Sequence, residues 1–271
     1  QPAAPRPGLV ERSGGWLNLI LSGVGRTLIT CGVIVFLFAG FQLWGTGVEE
    51  SAHQSDLAEE AARRLDLPQP SSGGDDSAAV DQITTKLAAV DPRTAPPAAA
   101  PTEGDWGGLI AIPAIGLSPR SFVQGVSKDD LRKGPGHYPT TPMPGQPGNA
   151  AIAGHRTTYG APFNRIAELK PGDRVEVYTT QGKFTSEVQP PPAGKGLERG
   201  PGWFTVRPTD TWVLDQGSEN LLTLTACHPE YSARERIVVQ AKLVAEPAAT
   251  TTTTTAPASP TVTTPAPEPT N

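Results

Sequence analysis

Residues Leu221-Leu222-Thr223-Leu224-Thr225-Ala226-Cys227-His228-Pro229 alternate apolar and polar side chains, end on a cysteine and are stopped by a proline. Period-two alternation marks a half-buried β-strand, and a proline cannot continue the ladder, so Cys227 is predicted at a strand end. A thiol so placed can face a groove. A second short apolar run, Gly148-Asn149-Ala150-Ala151-Ile152-Ala153-Gly154-His155-Arg156, delivers His155 at the matching far end, after a glycine. A third strand begins at Arg236 and continues Ile237-Val238-Val239. Arg234 has the same side-chain parity as Arg236, so alternation by itself allows either guanidinium to face the site.

Outward from these three runs, further candidate strands are Leu109–Ile115, Ser121–Val126, Arg174–Thr179, Lys183–Val188 and Thr211–Leu214, each bounded by Gly, Pro, Asp or Asn. With Asn149–Ala153, Asn220–Thr225 and Arg236–Leu243 they make about eight short strands, which implies a mainly β chain closed into a barrel. Helical pattern in this segment is limited to a turn or two at Lys128–Arg132 and another at Pro162–Leu169. The stretch Gln189–Gly202, QPPPAGKGLERGPG, is too rich in proline for a ladder and reads as a long loop.

The barrel segment, 105–246, is one part of a 271-residue chain whose 30 Pro and 29 Gly leave much of it as linker. Leu28 to Trp44 reads LITCGVIVFLFAGFQLW. With its small and apolar flanks it approaches the ~20 residues that cross a bilayer, giving a predicted transmembrane helix over 24–48. Arg6, Arg12 and Arg26 lie on its N-terminal side or at its edge, and Glu49 and Glu50 follow it, so the N-terminal segment 1–23 is predicted to be cytoplasmic and everything after the span extracellular. No small-residue cleavage site follows directly, which favours an anchor over a cleaved signal peptide. Residues 49–104 divide into a helix with too thin an apolar stripe to bury, EESAHQSDLAEEAARRLDL, and a Pro/Ala-rich spacer. The tail 247–271 has the Thr/Pro composition of a disordered stalk.

Composition narrows the function. With 22 basic and 27 acidic residues, a net charge of -5 and no dense Lys/Arg block, the chain has no electrostatic footprint for nucleic acid. Cys31 lies inside the apolar span, so Cys227 is a lone thiol in an extracellular context, where cysteine is ordinarily kept as a disulfide. A thiol becomes a nucleophile when a neighbouring His or Arg cation lowers its pKa from ~8.5. Cys227, His155 and an arginine together supply a thiolate, a proton donor for a leaving amine and a cation for a tetrahedral oxyanion.

These residues carry a resemblance to the sortase family of cysteine transpeptidases. Thr223-Leu224-Thr225-Ala226-Cys227 resembles its Thr-Leu-x-Thr-Cys signature, with Ala226 where the family usually has Thr, and an arginine opening a β-strand follows. AGHRTTYGAPF around His155 and the upstream GHYPTTPMPGQPGN match as well, and the likeness covers nearly all of 105–246, failing chiefly at Gln189–Gly202. The resemblance implies an eight-stranded sortase-like β-barrel with Cys227, His155 and Arg236 as catalytic residues; Arg236 fits better than Arg234 because the family's arginine directly precedes the apolar strand. Thr225 and Tyr159 are candidate substrate contacts. Cys227-His228-Pro229, Thr209–Leu214 and the Ala/Gly/Pro-rich composition are similar to class E enzymes of high-GC Gram-positive bacteria. Such a resemblance implies cleavage of a C-terminal Leu-Ala-x-Thr-Gly or Leu-Pro-x-Thr-Gly type sorting signal on secreted proteins, between Thr and Gly. A Cys227 thioester would then be transferred to a peptidoglycan-precursor amine of the lipid II kind.

Three other readings compete. A pilin-polymerising sortase would commonly add an N-terminal lid and a second, C-terminal span, whereas the polar tail of this chain is unlike one. A metal site on Cys227, His228, His155 and His137 lacks ligand spacing, since neighbouring Cys227 and His228 point to opposite faces of an extended strand, and no D-x-D-x-D-G calcium loop occurs; neither metal nor cofactor is expected. A non-catalytic surface barrel on a stalk would bury an inert Cys227.

Overall fold

The computed structural model describes residues 15–41, 45–70, 76–96 and 99–244. Most of the expected cytoplasmic segment and the whole Thr/Pro-rich tail lie outside the described residues.

Three helices precede the sheet: α1 (Gly15–Gly40), α2 (Thr46–Arg64) and α3 (Ser77–Ala88). The strands follow as β1 (Trp106–Ile112), β2 (Leu117–Gln124), β3 (Gly136–His137), β4 (Asn149–Ala153), β5 (Arg174–Thr179), β6 (Gly182–Val188), β7 (Phe204–Val206), β8 (Leu221–His228) and β9 (Glu235–Leu243), with the short helix α4 (Lys128–Lys133) between β2 and β3. The order β6-β5-β1-β2-β3-β4-β8-β9 closes on itself through a β6–β9 pairing, Ser186 opposite Leu243 to Val188 opposite Ala241, which gives an eight-stranded barrel. β7 pairs with the same strand β9 nearer its start, Phe204 opposite Val238 and Val206 opposite Arg236.

Alternation fixes which side chains enter the barrel. Ala150 and Ile152 of β4, Leu222, Leu224 and Ala226 of β8, and Ile237, Val239 and Ala241 of β9 share one interior cluster with Ile110, Phe122, Val175 and Val177. The intervening residues of β8, Thr223, Thr225 and Cys227, therefore face out of the barrel. Burial of these branched and aromatic groups is the main favourable term holding the barrel closed.

The sequence reading differs from this architecture in four places. Thr211–Leu214 is a turn of 3-10 helix rather than a strand; the Asp210 carboxylate accepts from the Arg207 N–H at 2.9 Å, and Trp212 stacks on Phe204 at 5.5 Å, so the run caps the barrel instead of joining a ladder. β3 and β7, of 2 and 3 residues, were not predicted, being too short to show alternation. Residues expected as a solvated helix and an extended spacer instead pack on the barrel. Leu57, Ala58 and Ala61 of α2 and Ile83 and Leu87 of α3 form a second core with Trp106, Leu109, Val123 and Tyr178. The stripe on α2 is mostly alanine, which adds little hydrophobicity but lets the helix approach the sheet closely. Last, the apolar helix long enough to cross a membrane is Ile20–Gly40, of 21 residues and mean hydropathy 1.9, and Thr46 to Val48 belong to α2 rather than to the expected span.

Side chains stitch α2 to the barrel. The Gln54 amide donates to the Ser121 and Lys133 carbonyls at 3.0 and 2.7 Å and accepts from the Ser121 N–H at 2.9 Å. Arg64 reaches the Asp105 carboxylate at 2.7 Å, and Glu60 accepts from the Trp106 N–H at 3.1 Å. The Gln54 and Glu60 bonds give partners to backbone groups of Ser121 in β2, Trp106 in β1 and Lys133 in α4.

Candidate active site

β8 is the centre of the site. It runs parallel to β4 in the register Ala153 beside Thr225, and the Gly154 N–H donates to the Thr225 carbonyl at 3.0 Å, extending that pairing past the end of β4. Two residues further along both strands stand His155 and Cys227. On the other side of β8 the antiparallel ladder to β9 makes Cys227 and Arg236 direct partners. Directly opposed residues share a face, so Cys227 and Arg236 both project from the outer surface of the barrel, and His155 follows the end of the neighbouring strand β4 at the level of Cys227.

Cys227 is a free, partly exposed thiol. Arg236 is partly buried, and its Nη1 donates to the Ala233 and Glu235 carbonyls at 2.9 and 3.0 Å, which fixes the guanidinium beside the start of β9. Arg234 lies before the strand with its side chain 71% exposed, 3.6 Å from Glu235. Of the two arginines that parity allowed, Arg236 is the one paired with the cysteine.

His155 begins a tight loop. Its carbonyl accepts from the Phe163 N–H at 3.0 Å, and the Phe163 ring, fully buried in the barrel, lies where a side chain on Gly154 would be: a Cβ there would come within 2.6 Å of the ring. Glycine at 154 is thus what lets the strand end close over Phe163. The imidazole packs against the Tyr159 ring, centroids 4.9 Å apart and planes tilted by 39°. Burial pushes the His155 imidazole below its ordinary value, so the neutral form is favoured near pH 7. A neutral imidazole can take a proton from a thiol.

Tyr159 therefore touches His155 rather than standing apart from it. Thr225, the second candidate contact, is buried, and its hydroxyl is hydrogen-bonded to the Tyr138 hydroxyl at 3.1 Å. Tyr138, partly exposed, is a neighbour of the site that strand patterning did not single out, because it lies just beyond the two-residue β3. Further along β8 the strip is sealed: the Thr223 hydroxyl donates to Asn149 Oδ1 at 2.7 Å, and Asn149 Nδ2 donates to the Val213 carbonyl at 2.9 Å.

The other two histidines of the barrel domain are occupied elsewhere. His228 points away from Cys227 and accepts at Nδ1 from Arg156 Nη1 at 3.0 Å, with Glu198 3.4 Å from its Nε2. Arg156 also meets Glu230 at 3.2 Å. His137 is fully buried between the Gln124 amide, 2.8 Å from Nδ1, and the Pro142 carbonyl, 2.9 Å from Nε2. The Gln124 atom that meets Nδ1 is Oε1, and the Thr141 hydroxyl lies 3.2 Å from Nε2.

Comparison with known proteins gives one consistent result. The family model described as Sortase domain matches residues 110–244. Sortase SrtE1 of Streptomyces coelicolor is 30% identical over 82% of this chain; the chain spans 57% of that relative's length. Sortase D of Bacillus subtilis is 28% identical over 80% of this chain and 96% of its own length. Among solved structures, sortase E from Streptomyces avermitilis is 33% identical, covering 54% of this chain and 91% of that chain, with a TM-score of 0.45.

Proposed function

Because this chain belongs to the sortase family and is similar to its class E members, we propose that it is a transpeptidase of cell-wall sorting with Cys227 as nucleophile, His155 as acid and base, and Arg236 as the oxyanion cation. The observation that carries this reading is the ladder register, with Arg236 directly across from Cys227 on one side and the Ala153–Thr225 pairing leading to His155 on the other.

In the proposed reaction a sorting signal of the Leu-Ala-x-Thr-Gly or Leu-Pro-x-Thr-Gly type presents its threonine carbonyl to Cys227. The sulfur attacks as His155 takes the thiol proton, and the Arg236 guanidinium stabilises the oxyanion. Collapse breaks the Thr–Gly C–N bond, and His155 returns the proton to the departing glycine amine. The acyl group is left as a thioester on Cys227. An acceptor amine then attacks the thioester, His155 takes its proton, and the thiol is restored as the new amide forms.

Ile20–Gly40 is read as a single-pass membrane anchor with a cytoplasmic N-terminus and the barrel outside. Thr46 opens α2 only six residues after Gly40. A catalytic barrel held that near the bilayer suits an acceptor amine on a lipid-linked peptidoglycan precursor, and clients secreted across the same membrane.

The test is incubation of the full chain, in detergent, with a quenched fluorescent Leu-Ala-x-Thr-Gly peptide and an amine acceptor, followed by intact-mass measurement. Cleavage after Thr, an acyl adduct on Cys227, and loss of both in Cys227→Ala are expected. No cleavage of any sorting peptide together with a Cys227 unreactive to iodoacetamide would leave a binding barrel as the better account.

A further inference from the structure

The loop that carries His155 is closed by its own hydrogen bonds, Phe163 N–H to the His155 carbonyl at 3.0 Å and Asn164 Nδ2 to the Arg156 carbonyl at 2.9 Å, but its tip is also held from outside. Tyr159, Gly160 and Ala161 all adopt left-handed backbone, with φ of 50°, 67° and 43°. For the two residues with a Cβ this conformation is costly and persists only where the surroundings enforce it. The enforcing contacts come from outside the barrel, from the first two turns of α2. The Tyr159 N–H donates to Thr46 Oγ1 at 3.3 Å. The Glu50 carboxylate lies against Gly160, where a Cβ would come within 2.5 Å of Oε2, and accepts from Arg120 Nη1 of β2 at 2.6 and 2.7 Å. Thr46 and Glu50 are 5% and 1% exposed, so this is a packed joint and not a surface contact. Arg132 of α4 stands over the Tyr159 ring, 6.0 Å from its centroid. The result of this clamp is the 4.9 Å packing of Tyr159 on the His155 imidazole.

We propose that Thr46 and Glu50 of the juxtamembrane helix are positioning residues for His155, acting through Tyr159, so that the catalytic site is completed by a segment outside the barrel and next to the anchor. The inference rests on the reading of His155 as the acid/base group. Its physical basis is that a general acid must be held within hydrogen-bond reach of the reacting atoms, and misplacement by about 1 Å can cost on the order of a hundred-fold in rate. The group in contact with His155 is Tyr159 from its own loop; in the proposed site Cys227 and Arg236 join it from β8 and β9, and the charged groups packed against the loop are Arg132 of α4, Glu50 of α2 and Arg120 of β2.

The experiment compares the full chain in detergent with Thr46→Val, Thr46→Ser and Gly160→Ala. Two quantities are read: kcat and KM for the sorting peptide, and the NMR titration of His155 in histidine-labelled protein, where only four histidines need assignment. Thr46→Val removes the bond from the helix side, and Gly160→Ala drives the loop off Glu50 from the other, so a fold lost in one variant still leaves the other. The expected result in both is kcat lowered on the order of ten-fold with KM little changed, and a His155 titration moved up toward its ordinary value as Tyr159 departs. Thr46→Ser should retain both parent values. Parent-like kcat and an unmoved His155 titration in a folded Thr46→Val or Gly160→Ala protein would overturn the proposal. If the parent chain cleaves no sorting peptide, the transpeptidase reading fails separately, while the titration still decides whether α2 positions the imidazole.

Discussion

Arg236 stands directly across the β8–β9 ladder from Cys227, and its guanidinium is tied by Nη1 to the Ala233 and Glu235 carbonyls. In the proposed reaction a cation anchored to backbone needs no rearrangement as the oxyanion forms, which is what distinguishes Arg236 from the exposed Arg234.

From this difference, Arg236→Ala should lower kcat for peptide cleavage by about a hundred-fold or more, with a smaller change in KM. Arg234→Ala, which removes only an exposed ion pair, should change neither by more than about two-fold. Steady-state kinetics on the two variants decides between them, and an equal loss in both would sink the assignment.

Burial holds the His155 imidazole below its ordinary value. In the proposed mechanism the neutral imidazole is the proton acceptor, so activity should fall as pH drops through that lowered value, placing the acid limb of kcat/KM below ~6.5. A rate profile between pH 4.5 and 8 measures it. A midpoint at or above ~6.5 would mean that the imidazole in the working enzyme is not the buried one described.

The Thr225–Tyr138 hydroxyl pair at 3.1 Å sits two residues before Cys227 on the same face of β8. Thr225→Val should cost about 1 kcal/mol of stability for the lost bond. It should also raise KM several-fold, because the phenol beside the strip loses its fixed direction. Thermal unfolding and peptide kinetics together check this: a stability loss with unchanged KM would leave the pair a purely structural one.

Glu50 is 1% exposed, and burial pushes its carboxyl up despite the Arg120 guanidinium that pulls it down. Removing only the cation, as in Arg120→Met, strands that carboxylate and should destabilise the fold by about 3 kcal/mol at pH 7. Without Arg120 the folded-state carboxyl rises further and takes up a proton sooner as pH falls. The difference from the parent should therefore be largest at neutral pH and shrink toward pH 4.5. Denaturant unfolding at the two pH values measures it.

How far the chain could be read in advance follows from which physics is local. Alternation along Leu221–His228, Asn149–Ala153 and Arg174–Thr179 is written in consecutive residues, so strands, barrel and strand-end positions of Cys227 and His155 were legible. Periodicity set the parity of Arg236 but could not choose it over Arg234, because the choice depends on where β9 begins relative to β8. Thr211–Leu214 misled, since four apolar-rich residues satisfy a strand pattern whether or not a neighbouring strand is there to pair with them.

What the sequence determined by itself is the inventory: an apolar helix, a set of short strands, and a thiol, an imidazole and a guanidinium each at a strand end. What only the tertiary structure decided is their company. The parallel β4–β8 register brings His155 level with Cys227, and α2, whose stripe is mostly alanine and whose polar contacts with the barrel reach residues some forty to more than a hundred positions away, closes on the loop that holds the imidazole. Side-chain pattern reports what a segment must bury, whereas register and docking depend on the surface that distant segments present to it.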